Sequence, residues 1–576
     1  MTTLGNWITT AATRGSQPAV QFVQNDAWQT FTWAEFSDKV VAAYVHLKQF
    51  YLKDHDHVGI VSNTCWQWSA LDLAVLGSGC VCVPMYANLS DEDLLFTINH
   101  SDISILLYEN DKIGKQLEAI ASGFVRDVKL ICISEVPFDS AVTDEQRNEF
   151  YAKCSAIKPK DVATIIYTSG TTGKPKGVVL LHEAIVSEVL DVFAVFNVSP
   201  DWKALSFLPF AHVLGRLEHW GSCFNGHCLA YSESIEKLRS NLKTVKPDFL
   251  IAVPRIFEKV YAGILAQVET QKLKQAVFNE AMATALEVDK YRQSKSTIPW
   301  LLLLKYEALN KIAFGPIREA FGGNLKFAIS GGAPIDAHMT QFFHNCGVPI
   351  LEGYGLSETC GAVTINPLGA CFIGTVGKPL GDVEIKIADD GEILVKSAKC
   401  LREYYKNPEE TAKVTVDGYF ATGDIGEFTT GGYLRITDRK KDLIKTAGGK
   451  YVAPQKLEGL LKQEPLISQV LIHGDQKKYI VALITVDESQ LKQWARANNV
   501  QFENASELFQ NIAVKMRIQK HVQTCNSRLA SYEAIKKFEI LNEMWTVENG
   551  ALTQSLKVKR KFLEKKYAEL IDEIYD

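Results

Sequence analysis

The residues of this chain best suited to chemistry lie between Ile165 and His182, in the stretch "IIYTSGTTGKPKGVVLLH". Gly170, Gly173 and Gly177 leave the backbone free of Cβ atoms, so successive N–H groups can turn inward and form a nest for an anion. The hydroxyls of Thr168, Ser169, Thr171 and Thr172 add donors, and Lys174 and Lys176 add positive charge. These residue types predict a phosphate site. The spacing is not that of the Walker loop, G-x-x-x-x-G-K-[ST]. Pro175 or Val178 stands where the second glycine is needed, and proline follows Lys174 where a hydroxyl is needed. The next residues, "GVVLLH", read as a strand and not as the helix a Walker loop caps. The loop is therefore expected to bridge two strands as a flap over phosphates.

Other motifs follow in order: "SGGAP" (330–334), "YGLSET" (354–359), "ATGDIGEF" (421–428), "ITDRKKDLIKTAGGKYVAP" (436–454) and "QSLKVKR" (554–560). Two look-alikes fail. "GLSET" has Thr359 where a hydrolase elbow needs glycine, and "GYGLSE" lacks the third glycine of a dinucleotide fingerprint. His219, Cys223 and His227 fall at i, i+4 and i+8, a spacing that suggests zinc, but Asn225-Gly226 is expected to break the helix that would align them.

Taken together and in this order, the loop and these motifs resemble the acyl-adenylate-forming (ANL) superfamily of acyl-CoA synthetases, adenylation domains and firefly-type luciferases. The resemblance covers nearly the whole chain. "LPFAHVLGRLEHW" (208–220) and "VKPDFLIAVPRIFEKVY" (245–261) are most similar to the long-chain fatty acid:CoA ligases. The resemblance implies ATP, Mg²⁺ and CoA as cofactor and co-substrates and a fatty acid as the acid. The acid is first joined to AMP with release of pyrophosphate, then passed to the thiol of CoA. A carboxylate is a poor electrophile, and splitting one hard step into two is the logic of covalent activation. Rival readings are an acid:CoA ligase for medium-chain or aryl acids, an enzyme that hands its adenylate to a carrier protein or oxidises it, and a silent relative that only binds.

The resemblance also assigns roles. Thr168, Ser169, Gly170, Thr171, Thr172, Gly173 and Lys176, the lysine on a mobile loop, would meet the β- and γ-phosphates. Glu358 would hold Mg²⁺, a hard cation that prefers oxygen, and Ser357, where most relatives have threonine, would donate to the α-phosphate. Tyr354 would stack on adenine beside Gly355, with Gly331, Gly332 and Ala333 letting the backbone approach the ring. Asp424 would take both ribose hydroxyls, with Arg439 nearby. Lys557 would stabilise charge developing between carboxylate and α-phosphate, and His212 would sit near carboxylate and thiol, its alternative being a structural histidine at a strand end. Lys441 would be the hinge on which a small domain turns, bringing Gly448 and Gly449 to line the pantetheine tunnel.

These groups need elements to hold them. Up to about residue 370, apolar runs such as "HVGIVS", "SILLYE" and "VKLICIS" alternate with helical patterns such as "SDKVVAAYVHLKQF" and "DEDLLFTINH", which predicts βαβ units and parallel sheets. After Gly374, "VEIKIADDGEILVKS" and "GYFATGDIGEFTTGGYLRITD" alternate with period two about Asp-Gly and Gly-Gly, which predicts antiparallel hairpins of a barrel-like part. From Lys441 on, "PQKLEGLLKQE", "SQVLIHG" and "YIVALITVD" suggest a small α+β domain. The expected division is 1–440, an α/β AMP-binding domain, and 441–576, a small mobile one.

Composition bounds the rest. The 576 residues, 47% hydrophobic and 22% charged, describe an ordered chain of more than one domain. A net charge of −5 gives no reason to propose a nucleic-acid partner. Twelve cysteines without a C-x-x-C pair, and an N-terminus without a basic or apolar leader, are expected of a cytoplasmic protein with reduced thiols. "LDLAVLGSGCVCVPM" and "IPWLLLL" (298–304) are too broken or too short to span a bilayer. The latter is expected to be a buried helix, with peripheral contact at the inner membrane face left open.

Overall fold

The computed structural model describes residues 2–168, 174–269, 272–294, 296–498, 500–502, 504–509, 511–546, 549–553 and 558–576. Two large sheets carry the first part of the chain. The seven-stranded one runs Glu403–Tyr404, Lys176–Leu181, Val162–Thr168, Val81–Met85, His57–Val61, Ile105–Tyr108, Lys129–Cys132. Its last five strands are parallel and its first two pair antiparallel. The nine-stranded one has a parallel centre that includes Lys203–Ser206, Phe249–Ala252, Phe327–Ser330 and Ile350–Leu356, and Gly361–Ile365 returns antiparallel beside the last. All residues of Val81–Met85, Phe249–Ala252 and Phe327–Ser330 are buried, as strands covered by helices on both faces must be. The helices begin where the sequence caps them. Thr32 and Glu35 form a reciprocal box at Trp33–Lys48, and Ser90 with three acids in the first turn starts Asp91–His100.

The predicted hairpins are present. Glu384–Ile387 pairs with Glu392–Lys396 across a turn in which Gly391 takes φ +86°, and Tyr419–Phe428 pairs with Leu434–Arg439 across Gly432 at φ +74°. They belong to one five-stranded antiparallel sheet. Near the C-terminus, Ile467–His473, Ile480–Val486 and Ile535–Ile540 form a three-stranded sheet with the helices Pro454–Leu461 and Ile512–Asn526. Their apolar side chains make a cluster distinct from the one between the large sheets.

Two apolar runs resolve differently. "LDLAVLGSGCVCVPM" divides into the helix Trp66–Gly77 and the strand Val81–Met85. "IPWLLLL" does not make the buried helix expected. In the helix Trp300–Leu309, Trp300, Leu301 and Leu304 are 71%, 63% and 65% exposed and only Tyr306 is buried. The helix packs on Lys272–Gln293, and an apolar run that continues round all sides of a helix cannot hide every side against one neighbour. Among the described residues no helix is long and apolar enough to cross a membrane.

Candidate functional site

The glycine-rich loop after Ile165 does join two strands. Val162–Thr168 and Lys176–Leu181 are antiparallel neighbours with Thr168 opposite Lys176. Ser169, Gly170, Thr171, Thr172 and Gly173 lie outside the described residues. Lys176 differs from expectation: it is the first residue of a strand, its ammonium forms an ion pair with Glu410, and it lies over the Tyr404 ring. A β-ladder fixes its backbone, so its reach comes from the side chain alone. Hydrogen bonds from Lys176 and Lys413 hold the Glu410 carboxyl low, at about 2.

At the carboxyl end of the parallel strands three predicted residues meet. The Tyr354 hydroxyl donates to Asp424 Oδ2 at 2.7 Å, and Arg439 Nε lies 3.0 Å from Asp424 Oδ1. Asp424 and Arg439 face each other across the hairpin, and Tyr354 lies in the second half of the next sheet's strand Ile350–Leu356. Asp424 and Tyr354 are buried. Burial, reinforced by Asp424, holds the Tyr354 phenol far above its ordinary range. Burial would lower the Arg439 guanidinium, but Asp424 together with Asp442, Tyr354 and Glu358 offsets this and keeps it raised. Each Asp424 oxygen has one partner here and a second lone-pair position to offer.

Glycine is required beside this cluster. A side chain at Gly355 would put its Cβ 1.6 Å from the carbonyl oxygen of Gly361, because the two strands close there over a bulge. Gly332 takes φ +80° in the turn after Phe327–Ser330, next to buried Gly331 and exposed Ala333. Ser330 is in register with Glu352, two residues before Tyr354, so the "SGGAP" turn and the Tyr354 strand end side by side.

Ser357 and Glu358 sit on the single turn Ser357–Thr359 that follows, Ser357 buried and Glu358 half-buried. The Tyr404 hydroxyl donates to Glu358 Oε1 at 2.9 Å, and the Leu401 N–H donates to the Glu358 carbonyl at 2.7 Å. Tyr404 belongs to the short strand that pairs with Lys176–Leu181 through Val178, which ties the turn to the loop's hairpin. A half-buried carboxylate with one oxygen fixed by a neutral donor suits a hard cation. Sequence reasoning missed Tyr404, Glu410 and Leu401. "LREYYKNPEE" has no local pattern that marks it, and only the strand pairing brings it here.

His212 has a structural task. It caps the helix Val213–Asn225, its Nδ1 accepting the Leu214 N–H at 3.1 Å, which leaves Nε2 as the protonated nitrogen of the neutral ring. The helix ends at Gly226 with φ +90°, so His227 is not on the helix that carries His219 and Cys223. Along that helix Arg216, fully buried, donates to Thr164 Oγ1 at 2.6 Å and Asp72 Oδ1 at 2.5 Å, and Trp220 Nε1 donates to Asp72 Oδ2 at 3.2 Å. Burial opposes ionisation of Asp72, yet Arg216 and His219 hold its carboxyl below the ordinary range. This cluster fixes the strand that leads into the loop.

The remaining predicted residues lie elsewhere. Lys441 is exposed, just after a turn in which the Lys440 N–H donates to Gly423 O. Gly448 and Gly449 are exposed between the short strands Ile444–Lys445 and Tyr451–Val452, with φ +73° at Gly449. Lys557 lies outside the described residues.

The chain matches the AMP-binding enzyme family over residues 8–405 and the AMP-binding enzyme C-terminal domain over 441–576. It belongs to the AMP-binding enzyme family. The long-chain-fatty-acid–CoA ligase FadD15 of Mycobacterium bovis is 36% identical to it, over 95% of this chain and 93% of that one. Among solved structures, the adenylation domain of a carboxylate reductase from Mycobacterium chelonae superposes with TM-score 0.73 at 21% identity, over 100% of this chain and 91% of that one. The o-succinylbenzoate–CoA synthetase of Bacillus subtilis, in complex with ATP and magnesium, gives 0.69 at 20%, over 97% and 99%. These two show the fold.

Proposed function

We propose that this protein is an AMP-forming fatty acid:CoA ligase acting on long-chain acids. The observation that carries the adenylation step is the meeting of Tyr354, Asp424 and Arg439 beside Glu358. In the first half-reaction a carboxylate oxygen attacks the α-phosphorus, the bond to pyrophosphate breaks, and acyl-AMP remains. In the second the CoA sulfur, its proton released to solvent, attacks the acyl carbon, the bond to AMP breaks with the electron pair leaving on the phosphate oxygen, and the thioester forms. Asp424 receives the ribose hydroxyls on its second lone pairs, Arg439 and Lys176 balance phosphate charge, and Tyr354 lies against adenine. Glu358, with Ser357 donating next to it, is the residue that would hold Mg²⁺, which neutralises the triphosphate. Lys557 belongs to the first half-reaction, and turning about Lys441 exchanges it for the Gly448–Gly449 hairpin in the second. His212 presents its Nε2 side toward the acid. The fatty-acid and CoA assignments rest on the 36%-identical relative.

The test is AMP and pyrophosphate release with a panel of fatty acids, with and without CoA, for wild type and Lys557→Ala. Thioester formed with long-chain acids, and lost in the variant, supports the reading. Adenylate that accumulates without thioester points to another acceptor. No turnover with any acid sinks it.

Long-chain acids dissolve in bilayers, and the exposed face of Trp300, Leu301 and Leu304 is the surface we assign to them. Lys290, Arg292 and Lys311 are exposed on the same helices and their continuation, beside the exposed acids Glu287 and Glu307 and the Lys305–Glu280 ion pair, so the apolar face is what would meet a bilayer. Co-sedimentation with phosphatidylglycerol vesicles should fall at least about fivefold in Trp300→Ser/Leu304→Ser while folding stability moves by no more than ~0.5 kcal/mol. Unchanged vesicle binding, or a dimer in solution that the double variant dissociates, rejects the assignment.

A further inference from the structure

Beneath the Glu358 turn lies an ion cluster that no step above uses. Lys399 is wholly buried, its ammonium 3.1 Å from Glu188 Oε2 and 2.7 Å from Asp191 Oδ2. Glu188 is also wholly buried, and both acids lie on the helix His182–Phe196, which starts where the loop's second strand ends. Burial would depress the Lys399 ammonium, but Glu188 and Asp191 together more than offset it and keep it charged, while the same burial outweighs Lys399 at Glu188 and raises its carboxyl to about 7. Glu188 Oε1 accepts the Ala362 N–H at 2.5 Å, and Lys399 donates to the Ala362 carbonyl at 3.4 Å. Lys399 and Glu188 thus grip both polar groups of one residue, four positions after Glu358.

The backbone they grip needs holding. Cys360 takes φ +56° and Gly361 φ +126°, and a side chain at Gly361 would put its Cβ 2.4 Å from the Glu188 carboxylate. A non-glycine residue in the left-handed region costs about 1–3 kcal/mol and persists where its surroundings over-determine it. The same chain segment holds the other end of the turn: Leu401, two residues after Lys399, binds the Glu358 carbonyl, and Tyr404 binds its carboxylate. A buried ion cluster adds little net stability over a well-packed apolar one, so geometry is the better account of its presence.

We infer that Lys399 and Glu188 are positioning residues that set the Glu358 carboxylate where it can take its cation. The inference rests on the proposed role of Glu358 as the magnesium residue. Its test uses the full-length protein and the variants Lys399→Met, Glu188→Gln and Glu358→Gln. Melting curves identify a temperature at which each is folded. There, ATP–pyrophosphate exchange gives the apparent Mg²⁺ constant, and electron paramagnetic resonance follows Mn²⁺ binding with α,β-methylene-ATP.

Lys399→Met and Glu188→Gln should weaken both metal readouts by about 10- to 100-fold, as loss of a ligand's supporting contacts does, with the fatty-acid KM within twofold of wild type. Glu358→Gln should weaken them at least as much. The double variant Lys399→Met/Glu188→Met should regain melting temperature without regaining metal affinity, which a merely structural cluster would not do. Should Lys399→Met not fold, Glu188→Gln, which keeps shape and volume, decides alone. Metal constants within twofold of wild type in folded Glu188→Gln overturn the inference while leaving Glu358 in its role. Wild-type metal binding in Glu358→Gln removes that role and the inference with it.

Discussion

The two buried ion clusters of this protein use similar parts to different ends. Around Asp72, one cation meets one carboxylate, and the bonds tie two helices to strands: Arg216 to Asp72 and Thr164, Trp220 to Asp72, and Thr164 to the Cys82 carbonyl of the neighbouring strand. Around Lys399, one cation meets two carboxylates, and Glu188 and Lys399 both reach the backbone of Ala362. The first fastens helix to helix and to the strand entering the glycine-rich loop, so its removal is felt by the fold. The second fastens a strained turn, so its removal is felt by the site as well as by the fold. Charge balance alone would not separate them; what each cluster bonds to does.

That contrast is easiest to break at Arg216. Arg216→Met leaves Asp72 charged and unpaired, which should cost about 3–5 kcal/mol and lower the urea midpoint strongly, with turnover per folded molecule near wild type; a loss under 1 kcal/mol would deny the cluster its fastening role. Asp424→Ala sits at the opposite pole. It removes a partner of Tyr354 and Arg439 at the site and should slow acyl-adenylate formation by roughly 10²–10³, measured in single turnover, while the protein stays folded. Equal losses of rate in Arg216→Met and Lys399→Met, per folded molecule, would erase the distinction between the two clusters.

An effect smaller per pH unit, and graded with pH, comes from acids without a cation. Burial raises Glu218 and Glu352 to about 8. Between their unfolded value near 4.5 and that point the folded protein holds protons that the unfolded chain has released. Stability is therefore greatest below pH 4.5 as far as these groups are concerned, and is lost as pH rises toward 8. Each contributes a slope of at most about 1.4 kcal/mol per pH unit. Glu218→Gln should flatten the fall in urea stability from pH 5 to 8; an unchanged slope would show that Glu218 is ionised in the fold. Asp72, held low by Arg216, should add no such slope.

Much of the fold was legible in advance because its signals are local. Period-two runs about Asp390-Gly391 and Gly431-Gly432 became the hairpins expected, and the loop after Ile165 bridges two strands as its following "GVVLLH" predicted. "IPWLLLL" was misread because apolar composition does not say how many sides of a helix find neighbours. Lys176 was placed on a loop because a strand edge and a loop end look alike until pairing decides.

For the site, the sequence by itself determined which chemistry-bearing residues exist and in what order, since Tyr354, Glu358, Asp424 and Arg439 stand in motifs whose spacing is local. Only the tertiary structure decided what surrounds them. The Tyr404 hydroxyl on Glu358, Glu410 on Lys176, and Lys399 and Glu188 around Ala362 join residues 46, 234 and 174 positions apart. Such pairs are set by strand order and helix packing, which no short stretch of sequence contains.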